Sequence, residues 1–135
     1  MLMTQEEKVQ HWIGLSDDDF DVAGVLLKKK RNLYVGFMCH QSVEKLFKGC
    51  FVKVLNDVPP YKHDLVFFAQ KVGFFDLLSE KQKDFIRELN PLNIEARYPD
   101  YKNEVAKYLT DDLTKWIYKQ TKELLQWTKT KILSQ

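Results

Sequence analysis

Residues 32–56 read Asn32-Leu33-Tyr34-Val35-Gly36-Phe37-Met38-Cys39-His40-Gln41-Ser42-Val43-Glu44-Lys45-Leu46-Phe47-Lys48-Gly49-Cys50-Phe51-Val52-Lys53-Val54-Leu55-Asn56. Projected on a helical wheel, Leu33, Val43, Phe47, Cys50, Phe51 and Val54 share one broad apolar face. Gln41, Lys45 and Lys48 fall on a separate narrow stripe, with Tyr34 and Val52 beside it. That sorting is the signature of an amphipathic helix. Asn32 is a suitable N-cap. Asn56-Asp57-Val58-Pro59-Pro60 ends the helix, because proline cannot continue it and disfavours helix just before itself.

The same periodicity extends upstream. From Thr4 to Arg31, Trp12, Ile13, Ser16, Phe20, Ala23 and Leu27 recur at helical steps, either in one helix or in two with a break near Gly14 to Ser16. Downstream, Asp64 is placed to cap a short helix over Leu65–Val72, and Gly73 to end it. Ser79 with Gln82 three residues on forms a capping box for the next helix. Asn90-Pro91 breaks the chain. Thr110 opens the last helix, whose buried face is marked by Leu113, Trp116, Ile117, Gln120, Leu124 and Trp127. No run alternates with period two between hairpin turns. The expectation is one all-α domain over residues 1–135, with two or three long helices as its body and short helices between.

Composition agrees and narrows the function classes. Charged residues are 30% and hydrophobic residues 44% of 135, the balance of a folded chain. Five Gly and four Pro are too few for a many-turned sandwich or barrel. Lys plus Arg is 21 against 19 acidic residues, so a uniform polycation is excluded. The charge is uneven, however, with five lysines against one glutamate from Leu113 to Gln135. That helix offers a positive face to a polyanion, or to solvent alone. The acidic N-terminus lacks the apolar core of a signal peptide, and no run is long enough to span a bilayer. Cys39 and Cys50, on one helix, lie roughly 16 Å apart, beyond the about 7 Å a disulfide allows. Free thiols and a cytoplasmic setting are expected.

Three clusters bear on chemistry. Gln41, Glu44, Lys45 and Lys48 are spaced three and four apart, as a phosphate- or partner-binding stripe or as a solvated helix face. Arg97-Tyr98-Pro99-Asp100-Tyr101 sets an arginine beside a proline-fixed turn, to hold a phosphate or base, or as an Arg–Asp pair packed by tyrosines. His63-Asp64 follows the proline loop; neighbours in sequence point apart, so capping by Asp64 and packing by His63 is the favoured reading. Neither the histidines nor the cysteines have metal-ligand spacing, and no phosphate-binding glycine loop or nucleophile elbow occurs. No metal and no cofactor is expected.

In order, Trp12, Asp19-Phe20 and Ala23, then Tyr34, Phe37, Gln41-Ser42-Val43-Glu44-Lys45 and Lys48, then His63-Asp64-Leu65 and Arg97-Tyr98-Pro99-Asp100 resemble the HEPN family over nearly the whole chain. The resemblance implies an up-and-down helical bundle with two long antiparallel helices plus shorter ones, and a homodimer. It also implies association with a minimal nucleotidyltransferase, in some cases as a toxin–antitoxin pair. Many members are metal-independent ribonucleases, with an Arg followed a short way downstream by a His. Here the corresponding places hold Lys102, Asn103 and Glu104. The expected protein is therefore a non-catalytic module that binds nucleotide, RNA or the partner enzyme. Arg97 would contact phosphate, Tyr98, Asp100 and Tyr101 would shape the pocket, and Gln41, Glu44, Lys45, Lys48 and His63 would complete it. The alternatives are a divergent ribonuclease that recruits His63 or His40, and a structural dimer without ligand.

Overall fold

A computed structural model describes residues 2–94 and 99–134. Thr4 opens helix α1 (Gln5–Lys28) with a capping box, its hydroxyl accepting from the Glu7 amide while the Glu7 carboxylate accepts from the Thr4 amide. The break considered near Gly14 to Ser16 does not occur. Gly14 sits on the exposed side, and the buried Ser16 hydroxyl donates to the Ser42 carbonyl at 2.6 Å. A small residue with a satisfied hydroxyl keeps the seam close without breaking the helix.

Lys29 to Arg31 reverse the chain into α2 (Asn32–Leu55), with Lys30 in the left-handed region at φ 57°. Asn32 is not the N-cap. Arg31 holds that position without a side-chain bond, and the Asn32 amide instead donates to the Leu109 carbonyl and Asp111 carboxylate. Helices α1 and α2 run antiparallel: Gln5 donates to the Val52 and Lys53 carbonyls, Ser16 meets Ser42, and Asp19 meets Lys45.

Fifteen of the 24 residues of α2 are buried, which makes it the central helix and not an amphipathic surface one. Of the stripe read as either binding or solvated, Glu44 and Lys48 are buried while Gln41 and Lys45 are partly exposed, and Val54, expected in the core, is exposed. Helix α6 (Asp111–Thr128), capped by Thr110 as expected, covers another side of α2. It runs parallel to α2 and antiparallel to α1, with Phe20 stacked on Tyr118 and Lys129 paired with Asp17 at 2.6 Å. Ile117 and Leu124 are buried as expected, but Trp116 is 37% exposed and lies edge-on to Phe85.

The short helices α3 (Leu65–Val72), α4 (Glu80–Leu89) and α5 (Pro99–Tyr108) close the remaining side. Asp64 caps α3 through the Val66 and Phe67 amides, Gly73 ends it at φ 103°, and Ser79 and Gln82 form the capping box of α4. Phe47, Phe68, Phe74, Leu46, Leu65 and Ile86 are fully buried where these helices meet α2. Cys39 and Cys50 are free and buried, and burial pushes the Cys39 thiol up to about 12. Among the described residues there is no strand, and no helix is long and apolar enough to cross a membrane.

Candidate binding site

Three residues of α2, one turn apart, organise the loop that follows it. His40, Glu44 and Lys48 stand at steps of four, and so share one side of the helix. Glu44 is the hub. Its Oε2 accepts from Lys48 Nζ at 3.0 Å and its Oε1 accepts from His63 Nδ1 at 2.8 Å. The Glu44 and Lys48 side chains are only 4% and 9% exposed. A buried carboxylate is tolerated when its oxygens are paired in this way.

His40 holds the other end of His63. Its Nε2–H donates to the His63 carbonyl at 3.0 Å, which leaves Nδ1 as the unprotonated nitrogen, buried and without a hydrogen bond among the described residues. Burial holds His40 below the ordinary imidazole range, in keeping with that neutral tautomer. Thus α2 grips His63 by its backbone through His40 and by its ring through Glu44.

Lys48 is framed by aromatic rings as well as by its carboxylate. Its Nζ lies 5.7 Å from the centroid of Trp12, 6.0 Å from that of Tyr61 and 5.7 Å from that of Phe68. Such placement lets an ammonium leave water at reduced cost. Tyr61, 90% exposed, meets the His63 ring edge-on at 5.1 Å. On the far side of His63, Asp64 accepts from the Asn90 amide at 3.0 Å, and Asn90 accepts from the Leu65 amide at 2.8 Å. The loop is held at both ends.

Of the residues expected at the site, Glu44, Lys48 and His63 are brought together. Lys45 points elsewhere, paired with Asp19 across the α1–α2 seam at 2.7 Å. Gln41 is half-buried, and its amide oxygen has no partner among the described residues. Asp100 is exposed in the first turn of α5, and the Tyr101 hydroxyl donates to the Pro91 carbonyl at 2.9 Å. Arg97 and Tyr98 lie outside the described residues. Sequence reasoning gave Trp12, Tyr61 and Phe68 no part in the site. It also passed over the spacing His40, Glu44, Lys48, the one signal that would have placed His40 with the other two.

The cluster can bind and orient. With Nδ1 committed to Glu44, the remaining ring nitrogen of His63 is Nε2, on a side chain 33% exposed. No group of three or more His, Cys, Asp or Glu suited to a metal ion occurs among the described residues.

The family model described as HEPN domain matches residues 9–132. Neither the search of curated proteins nor that of solved structures returned a match.

Proposed function

We propose, from the premise that the chain belongs to the HEPN domain family, that it is a nucleotide- or RNA-binding module that partners a minimal nucleotidyltransferase and has no catalysis of its own. The observation that carries this reading is the sequence after Arg97. A chain matched to the family over residues 9–132 has Lys102, Asn103 and Glu104 where ribonuclease members place their histidine. A lysine with an ordinary amine pKa near 10.4 is a poor base at neutral pH. The guanidinium of Arg97 is suited to a phosphate by its fork of donors. Helix α6 supports a polyanionic ligand, since Lys115, Lys119 and Lys122 are exposed at helical spacing.

In this reading the module works as a homodimer in the cytoplasm, whereas a toxin–antitoxin role belongs to the ribonuclease reading below. Titration calorimetry with ATP and with a short RNA tests it. Binding is expected for at least one of them, reduced at least tenfold in Arg97→Ala, in line with a charge-assisted phosphate contact. No binding of either ligand would remove the reading. Co-expression with a minimal nucleotidyltransferase checks the partner, and light scattering checks the dimer.

One observation favours a second reading, a divergent ribonuclease. The Glu44–His63 pair resembles the carboxylate–imidazole arrangement that fixes a general base. Incubation of structured RNA with the protein in EDTA separates the two. Cleavage that disappears in His63→Ala would favour the enzyme, and intact RNA would favour the binding module.

A further inference from the structure

The end of the bundle where α1 begins and α2 ends carries a groove and an exposed aromatic ring beside the His40–Glu44–Lys48 cluster. A groove of about 240 Å³ opens there, lined among others by Lys8, Trp12, Asp57, Val58 and Pro59. It is smaller than the about 300–1,000 Å³ of pockets that enclose a drug-sized ligand. Its size suits a fragment such as one planar base. Trp12 lines this groove and its ring centroid is 5.7 Å from the Lys48 ammonium, while that of Tyr61 is 6.0 Å from the same ammonium. The two rings therefore flank one ammonium, Trp12 as part of the groove wall and Tyr61 outside the groove.

Tyr61 is 90% exposed on a loop whose backbone is constrained on both sides. Pro59 and Pro60 stiffen the chain before it, and His63 after it is held at carbonyl and ring by His40 and Glu44. An exposed ring on a rigid loop loses little conformational freedom when something stacks on it. Lys8 lines the groove with Trp12 and Lys62 follows Tyr61 in the chain; both are exposed, and Lys62 Nζ rests over Phe67 at 4.4 Å. Aromatic faces alternating with cations suit a strand of unpaired bases on a phosphate backbone. A peptide would require a row of apolar anchors instead.

We propose that this end of the bundle is a docking platform for single-stranded RNA. One base enters the groove over Trp12, and the next stacks on Tyr61. Lys8 and Lys62 meet the intervening phosphates, and His63 Nε2 makes a hydrogen bond to the strand. The proposal rests on the nucleic-acid reading above and names its substrate class: an unpaired strand and not a free mononucleotide.

Fluorescence anisotropy with a labelled single strand of roughly 12 nucleotides tests it on the full chain, alongside the same RNA as a duplex. The single strand is expected to bind more tightly than the duplex. Tyr61→Ala is expected to weaken it about tenfold, the scale of one lost base stack, and Tyr61→Phe to restore it. Lys62→Ala is expected to shallow the salt dependence. Tyr61 is too exposed for its loss to unfold the chain, and circular dichroism confirms this for each variant. Equal affinity in Tyr61→Ala and the parent, with binding lost in Arg97→Ala, overturns the platform and leaves the proposed function standing. A parent protein that binds neither RNA nor ATP overturns both.

Discussion

Glu44 holds Lys48 and His63 at once, so its removal is felt by both. In Glu44→Gln the Lys48 ammonium stays buried without its counter-charge. Breaking a buried pair from one side costs about 3–5 kcal/mol. Urea denaturation is expected to show a loss of that size, with part of it recovered in the double variant Glu44→Gln/Lys48→Met, which removes the orphaned charge. A single variant as stable as the parent would contradict the hub role. His40 adds a pH dependence of definite sign. Burial keeps its pKa below the ordinary 6.5, so the unfolded chain takes up a proton that the folded chain refuses. Stability is therefore full above about pH 6.5 and falls as the pH drops below it, by up to about 1.4 kcal/mol per unit. Thermal midpoints from pH 7.5 to 5 are expected to fall less steeply for His40→Gln than for the parent. Identical slopes would remove His40 as the cause.

At the scale of elements, the α1–α2 pair is the rigid part, and two of its glycines show how unevenly it is packed. A Cβ at Gly49 would stand 3.2 Å from Trp12 Cβ and 3.7 Å from the Val9 carbonyl oxygen. Gly49→Ala is expected to cost about 1–3 kcal/mol, as overpacking does. A Cβ at Gly14 meets nothing within 4 Å, in the exposed middle of a helix. Gly14→Ala is expected to stabilise by up to about 1 kcal/mol. The two melting curves should shift in opposite directions. Helix ends were the most legible feature of the sequence, because a cap is a local bond: Asp64, Gly73, Ser79 with Gln82, and Thr110 all act where they stand. Asn32 misled because its amide is taken by residues 77 and 79 positions away. The polar stripe of α2 misled for a related reason. A helical wheel ranks side chains by polarity, whereas Glu44 and Lys48 are buried because each satisfies the other, and because His63 returns from beyond the proline loop.

On the scale of the whole molecule, the all-helical architecture followed from periodicity alone, and the family from motifs spread between Trp12 and Asp100, now matched over residues 9–132. Neither revealed that α2 is wrapped by α1, α6 and the short helices, since that depends on how separate apolar faces divide one partner. Connectivity also differs at this scale. Helices α1 and α2 are joined by a three-residue reversal, whereas α6 has to return across the chain to reach both.

The wrapping of α2 gives the chain two built-in clocks. Cys39 and Cys50 sit at zero exposure on its inner side, both with thiols pushed well above the ordinary range by burial. A thiol so placed reacts with a disulfide reagent only when its surroundings come apart. Labelling of the intact protein is therefore expected to be slow, with both cysteines modified together and at a rate that rises with urea. Fast modification of either alone would show a local opening of α2. The rate of colour development with a chromogenic disulfide thus reads how often the central helix is laid bare.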